Sequence, residues 1–565
     1  MVKKLISIFH KEFTGINQAA LLIGAFTLLS QLLGLIRDRA LAHIVGPSTD
    51  LDIYYSAFRI PDFMYVTVAS LVSITVLVPF LIKKLDREDG DKTEARKFLS
   101  DIFTVFLLAI IGASIVLYIL LPYVAHYITP GFSLDEQERM IEVSRIMLLS
   151  PIFMGISNLI GSVTQLFRKF LVYALCPVMY NIGIIVGVTV FYPMFGVQGL
   201  AIGVVIGAVL HLAIQLPVVI KDGLLPSLSF SIHFKQVREV FVLSLPRTLG
   251  LALNHIALIV IIAQASLIKE GSISVFNLSL ALQSVPLGII GASYSVAAFP
   301  TLAKLFSKQS YESFLGHIGT AARQIIFWSL PVSFLFIVLR AQIVRVILGS
   351  GSFTWADTRL TAAALALFVV SLVSQSMVLL FTRGFYAAGK TMRPLIVNFV
   401  TAGFIIVLSH LLLWAFRNYE GFQYFIESLF RVSDIPGTAM LMLPLAYSLG
   451  TMLNFGLLWM LFKKDFLGKD IYGFMFKTFF QSFAASFFIG YVAYLLLGVG
   501  AKAFDINTFW GVLCQGLLAG FGGLVAGIGV LLLMKNKEIE EIKKALHTKF
   551  WKSKVLVQSS EEGMQ

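Results

Sequence analysis

The stretch Ile102–Leu121, IFTVFLLAIIGASIVLYILL, decides the fold class of this chain. It holds twenty residues without a charged side chain, which is the length that an α-helix needs to cross the hydrocarbon core of a bilayer. Runs of the same character recur along the 565 residues. Together they place fourteen predicted spans at 16–36, 53–82, 100–124, 145–167, 171–193, 197–220, 240–263, 273–302, 319–339, 359–382, 394–416, 439–462, 476–499 and 510–534. We therefore predict an all-α polytopic membrane protein.

The composition supports a membrane protein and excludes other classes. Hydrophobic residues make up 58% of the chain and charged residues only 13%, whereas soluble domains are about a quarter charged. Two cysteines, Cys176 and Cys514, both in apolar runs, exclude a disulfide scaffold. The net charge of +13 is carried by Lys and Arg between the spans. We therefore expect cytoplasmic loops rather than a nucleic-acid partner, and an even number of spans predicts that both termini are cytoplasmic.

Two pairs of motifs indicate an internal repeat. Pro177-x-x-x-Asn181 and Pro394-x-x-x-Asn398 lie 217 residues apart, and Pro79 and Pro300 lie 221 apart. The near-constant offset predicts two parallel six-helix lobes, and paired lobes around a midplane site are typical of alternating-access transporters. The predicted divisions are a cytoplasmic segment 1–15, a first lobe 16–222, a second lobe 236–463, an extra helix pair 476–534 and a basic cytoplasmic tail 535–565.

The sequence contains one nucleotide-binding motif, but the strand and helix that this motif requires do not flank it. The run Gly384–Thr391 fits the pattern G-x-x-x-x-G-K-[ST]. That loop works between a strand and a helix that cradles phosphate, whereas here an apolar helix precedes it and Pro394 opens the next span. We interpret it as a tight turn. Metal-ligand and nucleophile motifs are also missing from the sequence, so we expect neither an enzyme nor a cofactor.

Charged side chains cluster around the first two spans. Ser30, Gly34 and either Arg37 or Asp38 recur at helical spacing on one face of span 1. Asp52, Arg59 and Asp62 follow within the next turns of chain. Ionisable groups in a membrane are costly, so they usually face a cavity or one another. Two interpretations stay open: ion pairs that hold the spans together, or a rim that binds an anionic substrate through arginine, whose planar fork suits phosphate.

The second half offers weaker candidates. Span 7 carries Arg247, either a cavity residue or an interface anchor, and His255, either a buried histidine or a proton relay. Asn398 and Thr401 in span 11 place oxygens one turn apart and are a weak prediction of an ion-binding site. His211, Gln264 and Gln283 are expected to form hydrogen bonds between helices.

Three segments carry a resemblance to a known family. These are Ser30-Gln-Leu-Leu-Gly-Leu-Ile-Arg-Asp38, Asp52-Ile-Tyr-Tyr-Ser-Ala-Phe-Arg-Ile-Pro61 and Val78-Pro-Phe-Leu81. They resemble the MurJ (MviN) lipid II flippase family of the multidrug/oligosaccharidyl-lipid/polysaccharide exporter superfamily. The resemblance implies that undecaprenyl-diphosphate-linked peptidoglycan precursor moves from the inner to the outer leaflet. It also implies a cationic cavity for the diphosphate and sugars, and a groove at spans 13 and 14 for the lipid tail.

The resemblance carries over to particular positions. Ser30, Arg37, Asp38 and Asp52 match family residues, and they form the predicted substrate site together with Arg59, Arg247 and His255. Other positions depart from the family pattern, because Gln31, Tyr65 and Ala281 stand where it has arginine. We hypothesise that Arg59 and Arg247 supply the missing charge.

The sequence thus favours a lipid II flippase in the bacterial inner membrane, acting as a monomer on a lipid-linked anionic saccharide among membrane lipids. Membrane potential or a monovalent cation gradient is the expected drive, and cell-wall synthesis proteins are expected partners. A flippase for another lipid-linked glycan, a cation-coupled small-molecule exporter and a non-transporting scaffold are the alternatives.

Overall fold

A computed structural model describes residues 16–69, 77, 80–81, 93–167, 169–466 and 472–540. Every regular element within these ranges is helical, which confirms the all-α class. The helices are α1 Ile16–Ile44, α2 Thr49–Ala57, α3 Arg59–Val68, α4 Thr93–Ile128, α5 Leu134–Met147, α6 Leu149–Leu166, α7 Phe170–Val186, α8 Val197–Ala213, α9 Leu216–Lys221, α10 Phe234–Ser266, α11 Ser272–Pro286, α12 Ser293–Ser307, α13 Tyr311–Val338, α14 Arg340–Ile347, α15 Trp355–Val369, α16 Leu372–Ala387, α17 Met392–Asn418, α18 Glu420–Phe430, α19 Met442–Phe466, α20 Tyr472–Ala503 and α21 Phe509–Leu533.

Eleven helical stretches in the described ranges are long and apolar enough to cross a membrane, and they correspond to predicted spans 3–9 and 11–14. Predicted span 10 is a bent pair, α15 and α16, with 45° between its halves; counted as one span it makes twelve. Predicted span 1 lies within α1, which continues through Arg37 to Ile44, and predicted span 2 runs partly outside the described residues. The count of fourteen is therefore not confirmed.

The described helices group into two compact units. The first unit lies within Met1–Leu282, Ile347–Ala364 and Thr391–Gly450, and it contains α1–α10, α17 and α18. The second lies within Gln283–Val346, Leu365–Lys390 and Thr451–Gln565, and it contains α12, α13, α16, α20 and α21. The predicted lobes 16–222 and 236–463 stay a prediction, and most of the predicted basic tail lies outside the described residues.

Small residues let α7 and α8 pack closely in the first unit. A Cβ atom on Gly183 would lie 2.2 Å from the Cα of Gly207, and one on Gly203 would lie 2.4 Å from the Cα of Gly187. Such contacts between backbones replace hydrophobic burial as the force that joins helices in lipid. A π-helical turn, Gly187–Phe191, follows the last residue of α7 and begins at this contact. Residues of both α7 and α8 form part of the wall of the candidate site.

The first unit also contains local features that recur at the predicted repeat offset. Ser133 exchanges hydrogen bonds with Glu136 at the start of α5, and Thr354 does the same with Asp357 at the start of α15. These capping boxes lie 221 residues apart. Each satisfies backbone N–H groups that the first helical turn leaves unpaired. The sequence signal, Ser/Thr-x-x-Glu/Asp, was visible but was not used in the repeat prediction.

Candidate functional site

A cavity of about 350 Å³ lies within the first unit. Its wall is formed by residues of α1–α3, α5–α8 and α11. The polar and aromatic residues that line it are Arg37, Asp38, Tyr54, Tyr55, Phe58, Arg59, Asp62, Tyr65, Ser150, Tyr180 and Asn277. Three of the predicted substrate residues, Arg37, Asp38 and Arg59, therefore share one cavity.

Arg37 is held by a neighbouring acid and by a distant amide. Its Nη2 lies 2.8 Å from Oδ1 of Asp38, and its Nη1 donates to Oδ1 of Asn181 at 3.1 Å. Asn181 in turn donates to the Ser30 hydroxyl at 3.2 Å. Predicted residues Ser30, Arg37 and Asp38 are thus joined through one side chain of α7. Sequence reasoning identified Asn181 as a repeat marker but not as a site residue.

Arg59 has a neutral partner across the cavity. It donates to Oδ1 of Asn277 on α11, and its buried Nε has no hydrogen-bond partner among the described residues. One turn along α3, Oδ2 of Asp62 lies 3.5 Å from Nδ1 of His255 on α10. His255 therefore reaches the cavity wall through Asp62. The contact of Arg59 with Asn277 was not predicted, although the two positions lie 218 residues apart, close to the repeat offset.

Tyrosines form the part of the wall that sequence reasoning missed. Tyr55, Tyr65 and Tyr180 line the cavity, and Tyr54 packs edge-on against Tyr55 with ring centroids 5.4 Å apart. Asn158 donates to the Tyr65 hydroxyl at 2.9 Å. The spacing of Tyr55 and Arg59 was the available signal, since residues three or four apart lie on the same face of a helix.

The charge of the described lining is balanced. Two arginines, Arg37 and Arg59, face two aspartates, Asp38 and Asp62. Charged side chains of one sign bring a large desolvation penalty when they are taken out of water together, and the two aspartates offset that penalty. The resemblance implies a cationic cavity, but the residues described here carry equal numbers of acids and bases.

Asp52 lies away from this cavity wall and binds the start of α11 instead. Its buried carboxylate accepts from the Gly271 amide at 2.8 Å, the Ser274 amide at 2.7 Å and the Ser274 hydroxyl at 2.5 Å. In the opposite direction, Glu270 accepts from the amide and hydroxyl of Thr49, the first residue of α2. These hydrogen bonds hold the pKa of Glu270 below its usual value.

The remaining predicted residues have separate surroundings. Arg247 lies in α10, but its side chain is outside the described part of the structure. Asn398 donates to the Gly250 carbonyl at 3.4 Å, and the buried Thr401 hydroxyl has no hydrogen-bond partner in the described ranges. The structure leaves the ion site of Asn398 and Thr401 a prediction.

Two further expectations concern polar residues outside the cavity. His211 lies 2.7 Å from the Ser157 hydroxyl and Gln264 lies 2.6 Å from His410, so both make the expected contacts between helices. The buried Gln283 amide has no hydrogen-bond partner among the described residues, so the expectation for it is wrong. Lys390 of the nucleotide-like motif binds Asp465 at 3.1 Å and lies over the Phe466 ring.

A family model described as lipid II flippase MurJ matches residues 41–513. The chain belongs to the MurJ family. A probable lipid II flippase MurJ of Buchnera aphidicola (subspecies Schizaphis graminum) is 26% identical over 483 residues, which cover 84% of this chain and 89% of that protein. A probable lipid II flippase MurJ of Bdellovibrio bacteriovorus is 28% identical over 411 residues, covering 70% and 76%.

Solved structures agree with this MurJ fold. A lipid II flippase MurJ in an inward closed conformation has a TM-score of 0.71 and 21% identity, over 91% of this chain and all of that one. An inward-facing multidrug resistance MATE transporter has a TM-score of 0.59 and 15% identity, over 76% and 93%. Family membership confirms a multi-pass transporter of the bacterial inner membrane, of the lipid II flippase class and not an enzyme.

Proposed function

We propose that this MurJ protein moves lipid II, an undecaprenyl-diphosphate-linked peptidoglycan precursor, from the inner to the outer leaflet by alternating access. One observation carries the proposal: Arg37 and Arg59 line the same cavity in a chain whose family is that of lipid II flippases. No covalent step is needed. The cavity presents the headgroup first to one side of the membrane and then to the other.

Arg37 binds the diphosphate by exchanging partners. Without substrate, Asp38 neutralises it at 2.8 Å and Asn181 orients it. A diphosphate offers several charged oxygens in the fork geometry that guanidinium prefers, so it competes with a single carboxylate. Asn181 keeps the side chain aimed at the cavity during the exchange. Asp38 therefore lowers the free-energy cost of holding the Arg37 charge in the cavity before substrate binds, and it does not prevent Arg37 from binding the diphosphate.

Arg59 supplies the second cation. Its partner Asn277 is neutral, so its charge is not cancelled by that contact. The unpaired Nε adds an N–H donor that a phosphate oxygen satisfies. Because Arg59 lies on α3 and Arg37 on α1, an anion between them contacts two helices at once.

The membrane potential is the proposed drive. An anion that moves outward across an inside-negative membrane gains about 2.3 kcal/mol per charge per 100 mV. A diphosphate carries at least two such charges, and the balanced lining of Arg37, Arg59, Asp38 and Asp62 adds none to the moving complex. A monovalent cation gradient acting at Asn398 and Thr401 is the alternative drive. Cytoplasmic termini, a monomeric state and cell-wall synthesis partners are part of the same proposal.

A second candidate function follows from the balanced charge. Two acids and several tyrosines in one cavity also suit an amphipathic cation, because aromatic faces attract cations. Export of small cations is therefore the competing activity, and the fold shared with a MATE transporter is compatible with it. The two activities require opposite charges on the substrate.

Rescue of a bacterium depleted of its own lipid II flippase tests the proposal. We expect wild type to restore growth and Arg37→Ala to fail, with both proteins present in the membrane at equal amounts. Arg145→Ala is the matched control, because Arg145 lies over the Tyr118 ring and does not line the cavity. Failure of wild type, or rescue by Arg37→Ala, would contradict the proposal. If wild type does not restore growth but makes the cells resistant to toxic cations, that result would favour the exporter.

A further inference from the structure

The helix α18 begins where a membrane span ends. The preceding helix α17, Met392–Asn418, is long and apolar enough to cross a bilayer. Only Tyr419 separates it from α18, Glu420–Phe430. The chain therefore leaves the hydrocarbon core at this point, and α18 starts at the level of the lipid headgroups.

The apolar face of α18 is only partly covered by protein. Ile426 is buried, and Phe422, one turn before it, packs edge-on against Phe416 of α17 with ring centroids 6.3 Å apart. Phe425 and Leu429, also one turn apart, form the outer edge of the same face and are 59% and 55% exposed. The opposite face of the helix carries the polar residues Glu420, Gln423, Glu427 and Ser428. Part of the apolar face of an amphipathic helix thus stays open.

Hydrogen bonds hold this open edge in a fixed position. Arg359 of α15 binds both carboxylate oxygens of Asp434, at 2.6 and 2.7 Å, and it donates to the carbonyl of Arg431 after the end of α18. Within the loop, Glu427 accepts from the Thr438 hydroxyl at 2.6 Å. All of these residues lie in the first compact unit. The edge therefore cannot turn inward, away from its surroundings, while these contacts persist.

The open edge continues the lipid-facing surface of α17. Most of the apolar stretch of α17 is not buried by protein. Near its end, the exposed Trp414 packs edge-on against the exposed Tyr419, with ring centroids 5.5 Å apart. Tryptophan and tyrosine concentrate at the boundary between membrane and water. The exposed residues Arg417 and Arg431 flank α18, and arginine side chains at such positions reach lipid phosphates. A phospholipid surface supplies both the apolar and the anionic partners.

We propose that α18 is an interfacial helix, with Phe425 and Leu429 inserted into the lipid surface at the end of α17. Its polar face stays in water, as in amphipathic helices that lie along a membrane. This inference goes beyond lipid II transport and does not depend on it. Because Arg359 joins the loop to α15, the helix also fixes the depth of that part of α15 in the bilayer.

Spin labels on the purified full chain in phosphatidylethanolamine and phosphatidylglycerol vesicles test the inference. The labelled variants are Phe425→Cys and Leu429→Cys, with Ser428→Cys on the polar face as the matched control, all in the Cys514→Ser background. Collisions with oxygen, which concentrates in lipid, are compared with collisions with a neutral, water-soluble nickel chelate. Oxygen collisions should exceed nickel collisions at Phe425→Cys and Leu429→Cys, and the ratio should invert at Ser428→Cys.

A second comparison perturbs the edge without moving the label. Phe425→Asp should increase nickel collisions at the Leu429→Cys label, because a charge is costly in lipid, whereas Ser428→Asp should leave them unchanged. Equal effects of these two substitutions would overturn the inference. Nickel collisions that exceed oxygen collisions at Phe425→Cys and Leu429→Cys would also overturn it, since water would then surround the edge. Protection of both labels from both reagents would overturn it too, because a second copy of the chain would then cover the edge.

Discussion

Replacing Asp52 by asparagine should loosen the junction between α2 and α11. The carboxylate of Asp52 accepts three hydrogen bonds from Gly271 and Ser274 at the first turn of α11. Asparagine keeps one acceptor oxygen and turns an N–H donor toward the other donors. Because alternating access requires the two halves of the chain to move apart on each side in turn, this junction is a candidate for the contact that must open.

The magnitude follows from the bonds that are lost. A hydrogen bond to a charged group contributes about 1.5–3 kcal/mol, and a negative charge at a helix N-terminus adds roughly 0.3–1 kcal/mol. We take about 3 kcal/mol for the substitution, which shifts the ratio of closed to open junctions about 150-fold at 1.36 kcal/mol per decade. Glu270→Gln should shift it in the same direction.

Spin labels at Glu138 on α5 and Leu267 after α10 report this change. The background is Cys514→Ser, since the other cysteine, Cys176, is buried. Double electron–electron resonance should show a longer distance population in Asp52→Asn. Asp50→Asn is the matched control, because Asp50 binds Arg139 and Tyr192, both within the predicted first lobe 16–222. Equal distance distributions in wild type and Asp52→Asn, or equal shifts in both variants, would refute the reasoning.

Three other predictions concern packing and pH. Gly203→Val should destabilise the chain by about 1–3 kcal/mol through overpacking against Gly187, whereas Gly403→Ala, with open space around it, should not; thermal unfolding in detergent compares them. Ser157→Ala should lower the unfolding free energy by about 1–3 kcal/mol because it removes the buried hydroxyl that contacts His211 Nδ1 and accepts from Gln215 Nε2, and an unchanged unfolding midpoint would contradict this. Arg359 holds the pKa of Asp434 below its usual value. The ion pair therefore stabilises the loop at every pH above the ordinary pKa of an aspartate. That stabilisation is lost as the pH falls through the lowered pKa of Asp434. A spin label at Ser433 should become more mobile in that acidic range, and an unchanged spectrum there would contradict the assignment.

The membrane explains why so many spans could be predicted. Backbone groups in hydrocarbon must be satisfied within the segment, so an apolar run of sufficient length has few alternatives to a helix. The bend between α15 and α16 could not be predicted in this way, because the residues around it, from Leu365 to Leu380, are apolar enough to be read as one run. The helix α5 was not predicted because it is polar and forms no apolar run. Only its end at Arg145–Met147 falls within a predicted span.

The site was predictable where it follows helical spacing and not where it depends on tertiary contact. Ser30 and Arg37 lie two turns apart on α1, and the sequence identified both. Asn181 joins them from α7, and no local pattern specifies that approach. The resemblance predicts Asp52 as a substrate residue, because it matches a charged position of the family pattern. In the structure its charge serves the N-terminus of α11.

The most direct test of lipid II transport is its arrival at the outer leaflet. Cells that rely on this protein would be treated with a membrane-impermeant enzyme that cleaves the lipid II diphosphate, minutes after their native flippase is shut off. The proposal predicts that lipid II stays accessible to cleavage with wild type and becomes protected with Arg37→Ala. Protection with wild type, while the protein is present in the membrane, would contradict it.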